Sequence, residues 1–101
     1  MNPQIKKGLI DACVLTLLAR EASYGYAITS ELQEVLDINE STLYPVLRRL
    51  EKSGCLTTFQ RPYSGRMRKY YTITSEGMQR LSEMREDWQA VIDIIGFISL
   101  P

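Results

Sequence analysis

Apolar residues recur at helical spacing near the start of the chain. Leu9, Ile10, Cys13, Val14, Leu17 and Leu18 form one broad stripe, which predicts a first helix over 5–20. The segment from Glu21 to Gly25 interrupts it. A second helix is predicted over 25–36, with Ser23 as its cap and Ile28, Leu32, Val35 and Leu36 facing inward. Asp37, Ile38 and Asn39 break that period, and Asn39 is a good N-cap for a third helix over 40–53. Gly54 suits the left-handed residue that closes a helix. Beyond it the period changes. Residues 55–63 and 67–73 are rich in Thr, Phe, Tyr and Ile, which favour strands, and the stretch from Tyr63 to Arg66 reads as a hairpin turn. Thr74 caps a last helix over 75–99, and Glu76 complements its positive end. The expected fold is mainly α with a small β hairpin (α+β), in two parts: a compact unit over 1–74 and one long helix over 75–101.

The third helix has two distinct faces. Leu43, Val46, Leu47 and Leu50 fall on one side, with Ser41, Tyr44, Pro45, Arg48 and Lys52 roughly opposite and Thr42 and Arg49 at the edge. Pro45 lies past the first turn of a helix that starts near Glu40, where it removes a backbone hydrogen bond at a cost of up to ~3 kcal/mol. Either the helix starts later or it bends there.

Charge sharpens this picture. The chain balances 12 basic against 12 acidic residues. Between Arg48 and Tyr71, however, seven cations (Arg48, Arg49, Lys52, Arg61, Arg66, Arg68 and Lys69) stand against the single acid Glu51. A basic helix followed by a basic hairpin tip is the arrangement of a winged helix-turn-helix. The helix can enter a major groove, where Arg pairs with guanine. The hairpin cations would follow phosphates or a minor groove. Solvated cationic faces and charged edge strands are the ordinary alternative.

The terminal helix carries Leu81, Met84, Trp88, Val91, Ile95 and Ile98 at alternating spacings of three and four, an a/d seam, with Ile92 beside it. A helix of roughly 25 residues spans ~37 Å, more than a small body covers. Its surplus apolar face predicts either a two-fold homodimer or packing back onto the first helix. A dimer would offer two basic helices to grooves ~34 Å apart. Trp88 reads as a hydrophobic anchor on the seam or as a stacking platform for a flat ligand.

Composition removes other classes. With 101 residues, 45% apolar and 24% charged, the chain is about one ordinary globular domain. It has no His, so the commonest general base and metal ligand are missing. Cys13 and Cys55 form no CxxC pair and read as core thiols of a reducing cytoplasm. No nucleophile–base pair, phosphate-cradling Gly loop or metal spacing is present, so no enzyme activity, cofactor or metal is expected. No apolar run approaches the ~20 residues of a membrane span, and residues 1–7 lead into no cleavage site. Neither a membrane partner nor a signal peptide is expected.

The stretch Ser41-Thr-Leu-Tyr-Pro-Val-Leu-Arg-Arg-Leu-Glu-Lys-Ser-Gly54 resembles the recognition helix of PadR-like transcriptional regulators. Arg68-Lys-Tyr-Tyr-Thr-Ile-Thr-Ser-Glu-Gly77 resembles that family's second wing strand and the entry to its last helix, and Tyr24-Gly25-Tyr26 fits the start of its second helix. The resemblance runs over nearly the whole chain. It implies a winged-helix homodimer that represses transcription at a dyad-symmetric operator on double-stranded DNA, in many members under control of a small aromatic or drug-like effector. The short length is similar to the branch with one C-terminal helix. There Trp88 matches a paired tryptophan that sandwiches planar drugs, whereas Arg85 and Ile92 depart from the pattern and the wing tip is shorter than the family's Gly-rich loop.

On this reading DNA is contacted by Ser41, Thr42, Tyr44, Arg48, Arg49, Lys52, Arg66, Arg68 and Lys69. An effector meets Trp88. The dimer closes through Leu81, Met84, Trp88, Val91, Ile92, Ile95 and Ile98. Arg49 has a structural alternative in an ion pair, and Tyr44 in packing at the domain edge. The competing function is a winged-helix protein-interaction module whose basic face meets an acidic partner.

Overall fold

A computed structural model describes residues 1–101. Six elements follow in order: α1 Pro3–Arg20, α2 Gly25–Leu32, α3 Glu40–Lys52, β1 Leu56–Tyr63, β2 Arg66–Ile73 and α4 Ser75–Ile98. This is a winged helix with a long C-terminal helix, extending 59 × 27 × 20 Å.

Local chemistry sets the helix starts. Asn2 accepts hydrogen bonds from the Gln4 and Ile5 amides at 2.9 and 3.4 Å. Pro3 occupies the first helical position, where a missing N–H costs nothing, so α1 begins two residues earlier than the apolar period implies. Asn39 caps α3 as expected: its side chain accepts from the Thr42 amide at 3.0 Å and from the Ser41 and Thr42 hydroxyls. The helix starts at Glu40 and runs on through Pro45.

The expectations for α2 need two corrections. Ser23 is not its cap. The Ser23 backbone exchanges two hydrogen bonds with Tyr71, at 3.1 and 2.7 Å, adding a one-residue bridge to the sheet. Tyr24 takes the N-cap position without a capping side-chain bond. Nor does α2 reach Leu36. It stops at Leu32, and the Gln33 side chain donates to the Ile38 carbonyl at 3.0 Å across the following turn. Val35, expected inward, is therefore 73% exposed, while Ile38 is buried.

β1 and β2 pair antiparallel from Leu56↔Ile73 to Tyr63↔Arg66. The two turn residues, Ser64 and Gly65, have φ of 49° and 79°, the pair of positive values that a two-residue type I′ hairpin requires. The core lies beneath this hairpin. Ile10, Val14, Leu15 and Leu18 of α1 meet Ile28 and Leu32 of α2, the four apolar residues of α3, and Leu56 and Tyr71 of the sheet.

Two joints organise the rest. At the first, Thr74 accepts from the Gly77 amide at 3.0 Å and donates to the Gly54 carbonyl at 2.6 Å, tying the end of α3 to the start of α4. A Cβ on Gly77 would strike the Cys55 carbonyl oxygen and Ile73. At the second, both terminal nitrogens of Arg49 on α3 donate to the carboxylate of Asp11 on α1, at 2.9 and 2.8 Å. Asp11 is 4% exposed.

α4 divides in two. Leu81, expected on a dimer seam, is instead a core residue of its own chain, 1% exposed. Met84 packs partly against the core, and the Trp88 ring abuts Gly8 of α1. From Val91 onward every residue is exposed, Phe97 and Ile98 to 76% and 70%.

The ion-pair joint gives an asymmetric expectation. Arg49→Met strands a buried carboxylate and is expected to cost ~3 kcal/mol or more. Asp11→Asn leaves a half-solvated guanidinium and is expected to cost about 1–3 kcal/mol. Urea unfolding at one fixed protein concentration reads the order of the two. At the other joint the obstacle is backbone, so Gly77→Ala is expected to lower stability by about 1–3 kcal/mol in the same assay.

Candidate nucleic-acid interface

The exposed face of α3 presents Ser41, Thr42, Tyr44, Pro45, Arg48 and Lys52 to solvent. Neither Arg48 nor Lys52 has an acidic partner; the chain's two ion pairs are Arg49–Asp11 and Lys69–Glu51. Arg49 differs from its neighbour. Its guanidinium is committed to Asp11, and that hydrogen bond, ahead of the opposing effect of burial, raises its pKa and keeps it charged. It anchors α3 to α1, the ion-pair alternative given for Arg49 in the sequence, with Asp11 as the partner.

The wing cations also separate. Register places Phe59, Arg61 and Tyr63 opposite Tyr70, Arg68 and Arg66, on one face of the hairpin. On this face Phe59 and Tyr70 stack with centroids 5.4 Å apart, and Arg61 lies over both rings. Arg68 lies between two rings, 3.9 Å from the Tyr24 centroid and 3.5 Å from that of Tyr63. Lys69 points to the other face, 3.7 Å from Glu51 of α3 and over the ring of Tyr71. Arg66, beside the turn, is exposed and unpaired.

Reading the chain as a string of charges placed Arg61 on the basic hairpin tip but did not reveal the rings that Arg61 and Arg68 lie against. The strand period carried the signal: adjacent strand residues point to opposite faces, so Arg68 and Lys69 leave the strand in different directions and meet different neighbours. Tyr24 was out of reach, because it arrives through the Ser23 bridge from a distant part of the chain.

Where α2, α3 and β2 converge there is a cleft of about 270 Å³ lined by Tyr24, Gly25, Tyr26, Tyr44, Arg68, Lys69 and Tyr71. A second, larger groove of about 500 Å³ runs between α1 and the end of α2. Leu9, Cys13, Leu17 and Val35 line it, with Arg20, Glu31 and Glu34 at its margins. Burial pushes the Cys13 thiol up, so it is a poor nucleophile at neutral pH. No three His, Cys, Asp or Glu side chains gather in a metal-binding cluster. No helix is long and apolar enough to cross a membrane.

Known proteins share this arrangement. The model of the transcriptional regulator PadR-like family matches residues 14–83. An uncharacterised protein of Lysinibacillus sphaericus is 38% identical over 100 residues, 94% of this chain and 92% of that protein. A transcriptional regulator of Mycobacterium tuberculosis is 32% identical over 83 residues, 81% of this chain and 78% of its own length. The crystal structure of a PadR family transcriptional regulator from Eggerthella lenta superposes with a TM-score of 0.84 at 35% identity, covering 94% of this chain and 85% of that one. With a winged helix, an exposed basic face on α3 and a family match over most of its length, the chain belongs to the PadR-like family of transcriptional regulators.

Proposed function

We propose that this chain is a DNA-binding repressor that acts as a homodimer on a dyad-symmetric operator. The observation that carries the reading is the unpaired polar face of α3, with Arg48 and Lys52 free of acidic partners and Arg66 exposed on the adjoining wing. Arg48 in this position can donate to guanine O6 and N7 in a major groove, while Lys52, at the far end of the helix, meets phosphate. Ser41, Thr42 and Tyr44 near the helix start add hydroxyls for base edges or phosphates.

The dimer is supported by two apolar surfaces that nothing in the chain covers. One is the stripe of α4 formed by Val91, Ile92, Ile95 and Ile98. The other is the α1 groove lined by Leu9, Cys13, Leu17 and Val35. Contiguous apolar surface of this kind marks an association site, and a second copy supplies a matching surface with closed symmetry. Met84 and Trp88, half-buried against their own chain, border the stripe. A planar aromatic effector would meet Trp88 there, loosening the α1–α4 contact at Gly8 and so the spacing of the two recognition helices.

Fluorescence anisotropy with labelled duplex from the gene's own upstream region, against a scrambled duplex, tests the DNA reading. Arg48→Ala is expected to weaken specific binding by ~1–3 kcal/mol, roughly 5- to 150-fold, and to narrow the preference between duplexes. Lys52→Gln is expected to weaken both duplexes alike. A folded protein with no duplex affinity at low salt would favour an acidic protein partner instead. For the dimer, Ile95→Asp is expected to shift sedimentation from dimer to monomer. For the effector, planar aromatic compounds are expected to quench Trp88, the only tryptophan.

A further inference from the structure

The cleft between α2, α3 and β2 adjoins the exposed face of α3, with which it shares Tyr44, and its other walls come from α2 and the wing. Its central group is Arg68. The ring centroids of Tyr24, which lines the cleft, and of Tyr63, on the adjoining wing surface, lie 3.9 and 3.5 Å from its guanidinium carbon. Rings this close restrict the guanidinium, whose N–H donors lie along the edge of its plane. The chain offers this edge no acceptor. Its two ion pairs involve other cations, and no carboxylate lines the cleft.

The other lining groups point the same way. Gly25 leaves room for the Tyr44 ring to cross the start of α2; a Cβ there would stand 2.5 Å from the Tyr44 hydroxyl. Burial first, then Glu40 and Tyr71, push the Tyr44 phenol up, so it keeps its proton as an O–H donor. Lys69 adds a second cation, its ammonium on the rim beside Glu51. Lys69 already has Glu51 as a partner, whereas Arg68 and the Tyr44 hydroxyl have none within the chain, and two of the walls, Tyr26 and Tyr44, are 68% and 37% exposed. An open cleft admits one phosphate of a polymer; it does not enclose a small molecule.

The geometry points to a seat for a single backbone phosphodiester of DNA, its free oxygens on the Arg68 edge and the Tyr44 hydroxyl. This rests on the DNA-binding reading above and makes it more specific. It assigns Arg68 a phosphate contact that is preorganised before DNA arrives, and it makes Tyr24 and Tyr63 positioning residues that hold the guanidinium. The contact is independent of sequence, because every duplex carries the phosphate.

The test is therefore anisotropy on a mixed-sequence duplex over a salt series. Arg68→Met keeps the length of the side chain and removes the charge. It is expected to lower affinity at low salt about tenfold and to make the slope of log K against log salt shallower by ~0.9 per subunit. Tyr63→Leu keeps the charge and removes one stacking face; affinity is expected to fall severalfold with the slope unchanged. Tyr44→Phe, a loss of one hydroxyl, is expected to do the same. A wild-type slope in Arg68→Met overturns the proposal while leaving DNA binding intact. Absence of wild-type binding at the lowest salt overturns both.

A second measurement uses the unaltered protein and does not depend on the variants folding. Duplex is expected to shift the NMR signals of the Arg68 side-chain N–H and the Gly25 and Tyr26 amides. Inorganic phosphate at matched ionic strength is expected to shift them only at far higher concentration. Signals that ignore the duplex overturn the proposal. So do signals that saturate with inorganic phosphate at concentrations as low as those of the duplex, which would make the cleft a site for free anions.

Discussion

The DNA-binding reading requires α3 to keep its angle to the rest of the domain, and one buried carboxylate holds it. Asp11 on α1 accepts both terminal nitrogens of Arg49 on α3. Two parallel bonds fix direction as well as distance, which a lysine at position 49 would not do. The apolar residues of α3 also bury its inner face, but a hydrophobic contact tolerates small rotations and a bidentate pair does not. The same pair lets Arg48 point outward: with its neighbour turned inward, the outer face keeps a cation with no acid to neutralise it.

The wing is set by a second, independent constraint. Gly54, Thr74 and Gly77 meet where α3 ends, the hairpin opens and α4 begins. This joint fixes the root of the hairpin, and the stack of Tyr24, Arg68 and Tyr63 steadies its outer part. α1 lies at the centre of both halves of the molecule. One side carries Asp11 and the core residues. Another carries Gly8, which receives Trp88, and the apolar groove continues beside it.

Much of this was legible in the amino-acid order. The start of α3 at Asn39, its buried face, the two-residue hairpin turn and the cap at Thr74 all rest on contacts within a few residues, and local patterns report such contacts well. What escaped detection depends on distant partners. Ser23 looked like a cap because nothing local shows that Tyr71 takes its backbone. Leu81 fitted a heptad seam, and only the tertiary packing draws it into the core. Arg68 counted as a free cation, and the ion-pair partner of Arg49 stayed unidentified, because Tyr24, Tyr63 and Asp11 approach them through the fold. Charge counting overstates the available charge for this reason: it tallies cations before their partners are known.

The bare apolar end of α4 has a consequence for the life of the protein in a cell. In the proposed dimer that surface is closed only by another copy, so the fold's stability rises with its own abundance. Newly made or dilute chains carry an adhesive tail, open to quality-control proteases and to non-specific association. Under that proposal, scarcity would shorten the survival of the chain as well as lower its occupancy of DNA. The regulator would leave its operator more abruptly than simple dilution predicts.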